Sequence, residues 1–554
     1  MSSNSELMKL GSPAPITLDF LRVRRLASEP SIPQLQTRWY SPLEFGSLPR
    51  TPEPPIHMSK HLERKIHDVE VDSQLVGTIV LGSLDTGRRA LRPQPSMDLN
   101  DPLNWSILQK FRTYLIICLF TFLASVNTSK FTFATTLLCE EFSKDPNIVT
   151  YLTAFNFVSS GVGSIFWVTL MRVLGKRLMI LLALPIFVAA NVWAAKTNDF
   201  NHLLATTVLS GFSSAAAGAP VATVVTDLFF VHERGAKLMV FTLWLSSGIF
   251  LGPLINAFIF QYSNWRVASE SIAIASGALW IFTFLLFRET TYHKRDIYAP
   301  VSSYGSRTTF VGSLSLVRGL NKNQNCVHAI LNCLTIFFYP SVLWSGLLIG
   351  IFFGLNTIVQ LRSYNTFTES PYDYTIPFLG LFSISGFIGS LIAVPFGGKL
   401  IDMLSTRLTK CHHNTREPEY RLYPLIVPAI IGSMGILLFG FTIADEKPWI
   451  QPAIGHAMQG FGLTATSNII VTYIVDTYVD HAAEALGVVF AFRGAVNAVA
   501  VLYGDKWIMY AGEKQAFGQM VGVQGFICMW VIIFLLCGKK VRAFTVRYGP
   551  VRTA

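Results

Sequence analysis

The sequence has little charge. Of its 554 residues, 14% are Asp, Glu, Lys or Arg, where a soluble domain carries about a quarter. Hydrophobic residues make up 51%, which points to a polytopic membrane protein rather than a water-soluble one. Carboxylates are missing from the middle of every long apolar run, which argues against a simple carboxylate proton relay. Cysteine is sparse: Cys118, Cys139, Cys326, Cys333, Cys411, Cys528 and Cys537 are scattered, with neither a disulfide framework nor zinc spacing. Cys411-His412-His413 lacks a second ligand pair, so no metal is expected. The first 97 residues hold no long apolar run and no signal-peptide core, so membrane insertion is expected to begin at the first spanning helix. There is no glycine-rich phosphate loop, which excludes ATP drive. No cofactor and no enzymatic constellation are expected. The net charge of +11 is carried by tails and by loops between apolar runs, a pattern of membrane topology rather than of nucleic-acid binding.

What is present is a series of apolar runs, at roughly 113–136, 148–170, 178–196, 202–226, 239–261 and 268–287, then 337–360, 374–396, 423–443, 449–472, 485–503 and 518–537. Each approaches the roughly 20 residues a helix needs to cross a bilayer. The expected fold is all-α and integral to the lipid bilayer, with twelve transmembrane helices in two six-helix bundles. Residues 1–98 read as a disordered cytosolic tail, 99–290 as the first bundle, 291–335 as a cytosolic linker, 336–540 as the second bundle and 541–554 as a cytosolic tail. Arg172, Lys176 and Arg177 follow span 2, Arg234 and Lys237 follow span 4, and Lys399, Arg407, Lys410, Arg416 and Arg421 follow span 8. By the positive-inside rule these loops and both termini are cytosolic. Asp101-Pro102 is expected to start a short helix on the inner leaflet, with Trp105, Lys110 and Arg112 at the interface.

The two groups of six repeat one another. Gly211-Phe212, Ala216, Thr223, Asp227, Ala236 and Val240-Phe241 recur as Gly460-Phe461, Ala465, Thr472, Asp476, Ala485 and Val489-Phe490, all at one offset of 249 residues (211 to 460). A fixed gap-free offset of this kind is the mark of an internal duplication.

Twelve spans in six plus six, a basic linker and these duplicated motifs resemble the major facilitator superfamily. Asp101-Pro-Leu-Asn-Trp-Ser106, Asp227-Leu-Phe-Phe-Val-His-Glu-Arg-Gly235, Phe287-Arg-Glu-Thr-Thr-Tyr292, Arg416-Glu-Pro-Glu-Tyr-Arg-Leu422 and Tyr473-Ile-Val-Asp-Thr-Tyr478 are similar to the fungal twelve-span drug:proton antiporter branch. The resemblance covers roughly residues 99–545. It implies the major facilitator fold, with two pseudo-symmetric bundles working by alternating access. It also implies proton-driven efflux of a small organic molecule (drug, toxin or secondary metabolite), by a monomer in the plasma membrane. The alternatives are an importer of polyamine-like or other organic cations, and a non-transporting nutrient sensor. Some positions depart from the family pattern. Val168 and Arg172 replace the Gly and Asp of the loop motif after span 2, whereas Gly398-x-x-x-Asp402 keeps them after span 8. Thr207 stands where relatives carry an arginine tied to proton coupling, which puts the coupling mode in question. Asn256-Ala257 replaces the closing Gly-Gly of the span-5 antiporter motif.

Two groups of candidate site residues follow. Asp227, Glu233 and Arg234, with Asp476 as the duplicate of Asp227 and with Asp402, are expected to pair between helices at the cytosolic mouth when it is closed; the plain alternative is solvated turns. Gly248, Gly252 and Pro253 are expected to form a sealing contact between the halves, against ordinary helix packing. Arg493, inside span 11, is expected to pair with Asp476 or Glu484, and Lys130 to snorkel outward. For substrate, the polar residues inside apolar helices stand out: Asn156, Asn256, Asn356, Gln360, His456 and Gln459. In the superfamily spans 1, 4, 7 and 10 line the cavity, which favours the last four, and His456 doubles as a proton site. Interhelical hydrogen bonding is the competing reading for each. Trp244 and Trp344 are candidates for a greasy cavity wall.

Overall fold

Among the described residues the twelve apolar runs correspond to twelve spans, one of them broken. The structure, a computed structural model, describes residues 79–80, 98, 100–291, 326–370, 372–412, 415–479 and 481–548. All of these belong to one unit, Lys65–Ala554. All of the expected N-terminal tail but Ile79, Val80 and Asp98, most of the linker and its cations, Asp480 and the last six residues lie outside the described residues.

Span 1 is Ile107–Thr128, span 2 Pro146–Leu174 and span 3 Lys176–Lys196. Span 4 is broken: Phe200–Ser214 and Ala219–Leu228 are joined by a tight turn over Ala215–Ala217 and Gly218. Span 5 is Arg234–Tyr262 and span 6 Trp265–Leu286. In the second half, span 7 is Pro340–Thr368, and span 8 is Ile376–Pro395, which runs through a wide turn at Phe396–Leu400 into Ile401–Cys411. Span 9 is Ile426–Ala444, span 10 Ile450–Thr477, span 11 Ala482–Ala511 and span 12 Glu513–Tyr548. A two-residue antiparallel ladder pairs Ile79–Val80 with Thr415–Arg416.

Three expectations about boundaries are corrected. Span 1 stops at Thr128 rather than 136, because a Thr-Ser run turns its hydroxyls onto the preceding carbonyls: Thr128 Oγ1 donates to Ala124 at 3.0 Å and Ser129 Oγ to Ser125 at 3.2 Å. A separate short helix, Thr135–Phe142, follows it. The end of the expected linker is helical, Cys326–Ile336. The segment at Asp101-Pro102 is a three-residue turn capped by Asp101, not a surface helix, and Lys110 and Arg112 already sit in span 1.

Eleven of the spans are apolar enough to cross a membrane by composition alone. The other is span 10, which carries His456, Gln459, Asn468 and Asp476. Its polarity follows from its position. Every residue from Gln459 to Thr477 is buried, so none needs to suit lipid. Small residues allow this crowding: the backbone at Gly460 lies directly on Gly386 of span 8, and Gly462 on Gly432 of span 9, where any side chain would collide.

The halves meet through span 2 against span 11 and span 5 against span 8. Gly161 packs on the Ala491 backbone, and Ser164 Oγ donates to the Gly487 carbonyl at 2.8 Å. Gly380 packs on Leu254 and Ala257.

Candidate functional site

Following Arg and Lys along the chain leads to one end of the bundle, called here the basic end. Span 5 begins there with Arg234, which is 5% exposed. Its Nη1 donates to Asp476 Oδ1 at 3.1 Å, across the two halves. The other Asp476 oxygen receives Arg421 Nε at 2.5 Å and has Arg416 Nη2 at 3.8 Å. Arg421, 0% exposed, also gives Nη1 to Asp402 Oδ1 at 2.9 Å. The second Asp402 oxygen accepts the Ala236 backbone N–H at 2.9 Å, so a carboxylate of one half caps the first turn of span 5 in the other. Arg416 and Arg421 each donate to the Val231 carbonyl at 3.4 Å, and Asn468 Nδ2 donates to the Gly235 carbonyl at 3.2 Å. The loop before span 5 is thus seated in a pocket of the second half, and Gly235 leaves no room for a side chain beside Asp402 and Arg421. Burial, and then the neighbouring Arg421 and Arg234 guanidinium groups, lower the pKa of the Arg416 guanidinium to about 10.

A second link between the halves lies beside it. Arg172, at the end of span 2, gives Nη2 to Glu484 Oε2 at 2.7 Å, with Nε 2.6 Å from Oε1, at the start of span 11. Within the first half, Lys176 pairs with Asp227, and Glu289 accepts the Lys176 and Arg177 backbone N–H groups at 3.1 Å each, capping span 3. Within the second half, Glu419 takes both Arg542 Nε and Nη2, at 2.8 and 2.9 Å.

At mid-depth a small cavity opens among spans 1, 2, 4, 5 and 11. Hydroxyl, alanine and glycine positions make up most of its wall, with Leu245, Phe490 and Arg493. The Arg493 guanidinium carbon lies 4.8 Å from the Phe353 ring centre and 4.6 Å from that of Phe490. At the far end of the bundle the halves touch again: Phe133 stacks on Tyr364 at 5.9 Å, and the Thr136 and Tyr364 hydroxyls are hydrogen-bonded.

The profile of the Major Facilitator Superfamily matches residues 115–501. The chain belongs to this superfamily. It is therefore a multi-pass, non-enzymatic secondary transporter built on the superfamily's fold of two pseudo-symmetric bundles. An uncharacterised MFS-type transporter of Schizosaccharomyces pombe is 24% identical over 83% of this chain and 89% of its own. The efflux pump vrtL of Penicillium aethiopicum is 25% identical over 84% of this chain and 95% of its own. The solved structure of the proton:xylose symporter XylE superposes with a TM-score of 0.58 at 13% identity, covering 79% of this chain and 100% of the other.

Against this frame the candidate residues separate. Arg234, Asp402 and Asp476 are brought together across the halves, as above. Asp227 is not part of that link; it pairs with Lys176 inside its own half. Glu233 is 49% exposed at its side chain and faces His232 Nε2 at 3.6 Å, a solvated turn. Gly248 and Gly252 do not lie between the halves. A side chain at either would strike span 1, at Phe122, Ser125 and Val126, so with Pro253 they pack span 5 inside the first half. Arg493 pairs with neither Asp476 nor Glu484, because Arg234, Arg421 and Arg172 hold those carboxylates. Lys130 is not snorkelling; it is 1% exposed and donates to Asn191 Oδ1 at 3.0 Å.

None of the six amide or imidazole candidates lines the cavity. Asn156 Nδ2 donates to the Thr207 carbonyl at 3.0 Å, tying span 2 to span 4. Gln360 Nε2 donates to the Ile249 carbonyl at 3.3 Å, and Gln459 Nε2 to that of Phe352 at 3.2 Å. His456 Nδ1 lies 3.1 Å from Ser385 Oγ, its ring stacked on Phe382 and edge-on to Phe250. Asn256 and Asn356 are buried between helices. Trp244 meets Phe122 and Trp344 stacks on Phe534, so both are packing residues. Sequence reasoning missed the roles of Arg421, Arg416, Glu419 and Arg542. The signal was the charge density of Arg416-Glu417-Pro-Glu419-Tyr-Arg421 directly before an apolar run.

Proposed function

We propose that the protein exports a small organic molecule from the cytosol in exchange for protons, as a monomer in the plasma membrane with its basic end and termini cytosolic. The observation that carries this reading is the pair of ionic links between the halves at the basic end, the buried Arg234–Asp476 and the half-buried Arg172–Glu484. They hold that end shut, and a transporter working by alternating access has to part them in every cycle. Asp402 on the first turn of span 5 acts with them, while Gly248, Gly252 and Pro253 stiffen the span that carries Arg234. Export, rather than uptake, is supported by the relative named as an efflux pump, and the basic loops place the closed end in the cytosol. Among the described residues no carboxylate sits mid-span, so the proton-carrying groups in this reading are His456 and the acids of the basic end. Substrate contact by Asn356, Gln360, His456 and Gln459 belongs to another conformation of the cycle, in which spans 7 and 10 separate from their neighbours.

The test is an untargeted comparison of small molecules inside and outside cells that have the protein, lack it, or carry Asp476→Asn. A compound retained inside only when the protein is absent or altered supports export. A compound depleted inside under those conditions overturns it in favour of uptake.

A further inference from the structure

We propose that the mid-depth cavity is a site for an organic anion, whose carboxylate pairs with Arg493 while its apolar body lies against Leu245 and Phe490. The inference rests on the export reading above and names the charge class of the cargo.

Arg493, which is half-buried, differs from the guanidinium groups of the basic end. Arg172, Arg234 and Arg421 each meet a carboxylate. Among the described residues no carboxylate pairs with Arg493; its contacts are the Phe353 and Phe490 rings. Aromatic contact uses the flat face of a guanidinium and offsets part of its desolvation. It leaves the in-plane N–H donors, which match a carboxylate two at a time, without a partner. An ionised group at this depth is expensive unless something in the cavity compensates it.

The wall supplies no competing acid. Its polar groups are Thr121, Ser125, Thr128, Ser160, Ser164 and Ser214 besides Arg493. Five of these hydroxyls donate to main-chain carbonyls: Thr121 to Ile117 at 2.9 Å, Ser125 to Thr121 at 2.9 Å, Thr128 to Ala124 at 3.0 Å, Ser164 to Gly487 at 2.8 Å and Ser214 to Gly211 at 2.8 Å. No hydrogen bond among the described residues occupies Ser160, so its hydroxyl is a second donor free for the ligand. A cation in this cavity would face Arg493 with no carboxylate to balance it. That disfavours a polyamine-like cargo.

The experiment uses the full-length protein, purified in detergent, and three probes of one shape: 4-phenylbutyrate, 4-phenylbutanamide and 4-phenylbutylamine. Binding is followed by calorimetry. The acid is expected to bind at least about tenfold more tightly than the amide, and the amine not at all, as one charge-assisted bidentate contact requires. Arg493→Gln should weaken the acid by about 10- to 100-fold, Arg493→Lys should keep the preference for the acid with lower affinity, and Ser160→Ala should weaken it a few-fold. The proposal is overturned if the amine binds as tightly as the acid, or if a monodisperse Arg493→Gln protein binds the acid like the wild type. It is also overturned if the acid fails to bind at about 10 mM, beyond the usual range of KM values. The two readings fail separately. An exported compound that is a cation would keep export and sink the anion site; an anion taken up in an Arg493-dependent way would do the reverse.

Discussion

Replacing Arg234 by Gln removes the charge that joins the halves and leaves the rest of the cluster in one piece. Asp476 keeps Arg421 at 2.5 Å, and Arg421 keeps Asp402, because all three belong to the second half. What is lost is one charge-assisted hydrogen bond, 3.1 Å long between side chains 6% and 7% exposed. Such a bond contributes roughly 1.5–3 kcal/mol. It exists only while the basic end is closed, so the ratio of closed to open protein should fall by roughly 10- to 150-fold at about 1.4 kcal/mol per decade. The readout is the distance between spin labels at His232 and Lys410, exposed positions of opposite halves at the basic end, after the seven native cysteines have been replaced. The wild type should give one short distance, and Arg234→Gln a second, longer one as the major population. Glu233→Gln, in the adjacent solvated position, should change nothing. An unaltered distance distribution in a folded Arg234→Gln protein would refute the reasoning, as would an equal response to Glu233→Gln.

Other outcomes can be checked with simpler assays. Arg172→Glu and Glu484→Arg should each impair flux and the double exchange should restore it, with a coupling of about 0.5–3 kcal/mol in a double-mutant cycle; no rescue would mean that the 2.7 Å contact does not operate as a pair. Gly248→Leu should destabilise by about 1–3 kcal/mol or more through overpacking against span 1, whereas Gly277→Leu, with open space around it, should leave the thermal midpoint in place. Arg542→Gln strands the Glu419 carboxylate, 4% exposed, and should cost about 3–5 kcal/mol, read as loss of folded protein on thermal scanning.

The spans were legible because lipid imposes one demand, a long run of apolar residues, and among the described residues eleven spans meet it. Span 4 shows the limit of that signal: its apolar run continues through Gly218, while the helix does not. Span 10 shows the converse, since a helix surrounded by protein can carry His456, Gln459 and Asp476 and still cross. The basic-end acids and Arg234 were visible as charges beside apolar runs. That they pair was expected, but not which with which, because Arg234 and Asp476 come from different halves and meet only through the packing of span 5. Duplicated sequence did not mean duplicated contacts either: Asp227 pairs within its half and Asp476 across. In this conformation the amide candidates bind neighbouring helices for a chemical reason. An amide carries donors and an acceptor and so finds partners on neighbouring helices, as Asn156, Gln360 and Gln459 do. A guanidinium has donors only, and Arg493, with its nearby acids engaged elsewhere, is left facing the cavity together with Ser160.

The central claim is that closing and opening the basic end moves a cargo out of the cytosol. It is tested most directly in inside-out plasma-membrane vesicles with an acidic interior, supplied with the compound that cells lacking the protein retain. The account predicts that wild-type vesicles accumulate it, that collapsing the proton gradient stops this, and that Asp476→Asn vesicles do not accumulate it at all. Accumulation that is equal with Asp476→Asn, or that appears only in right-side-out vesicles, would contradict it.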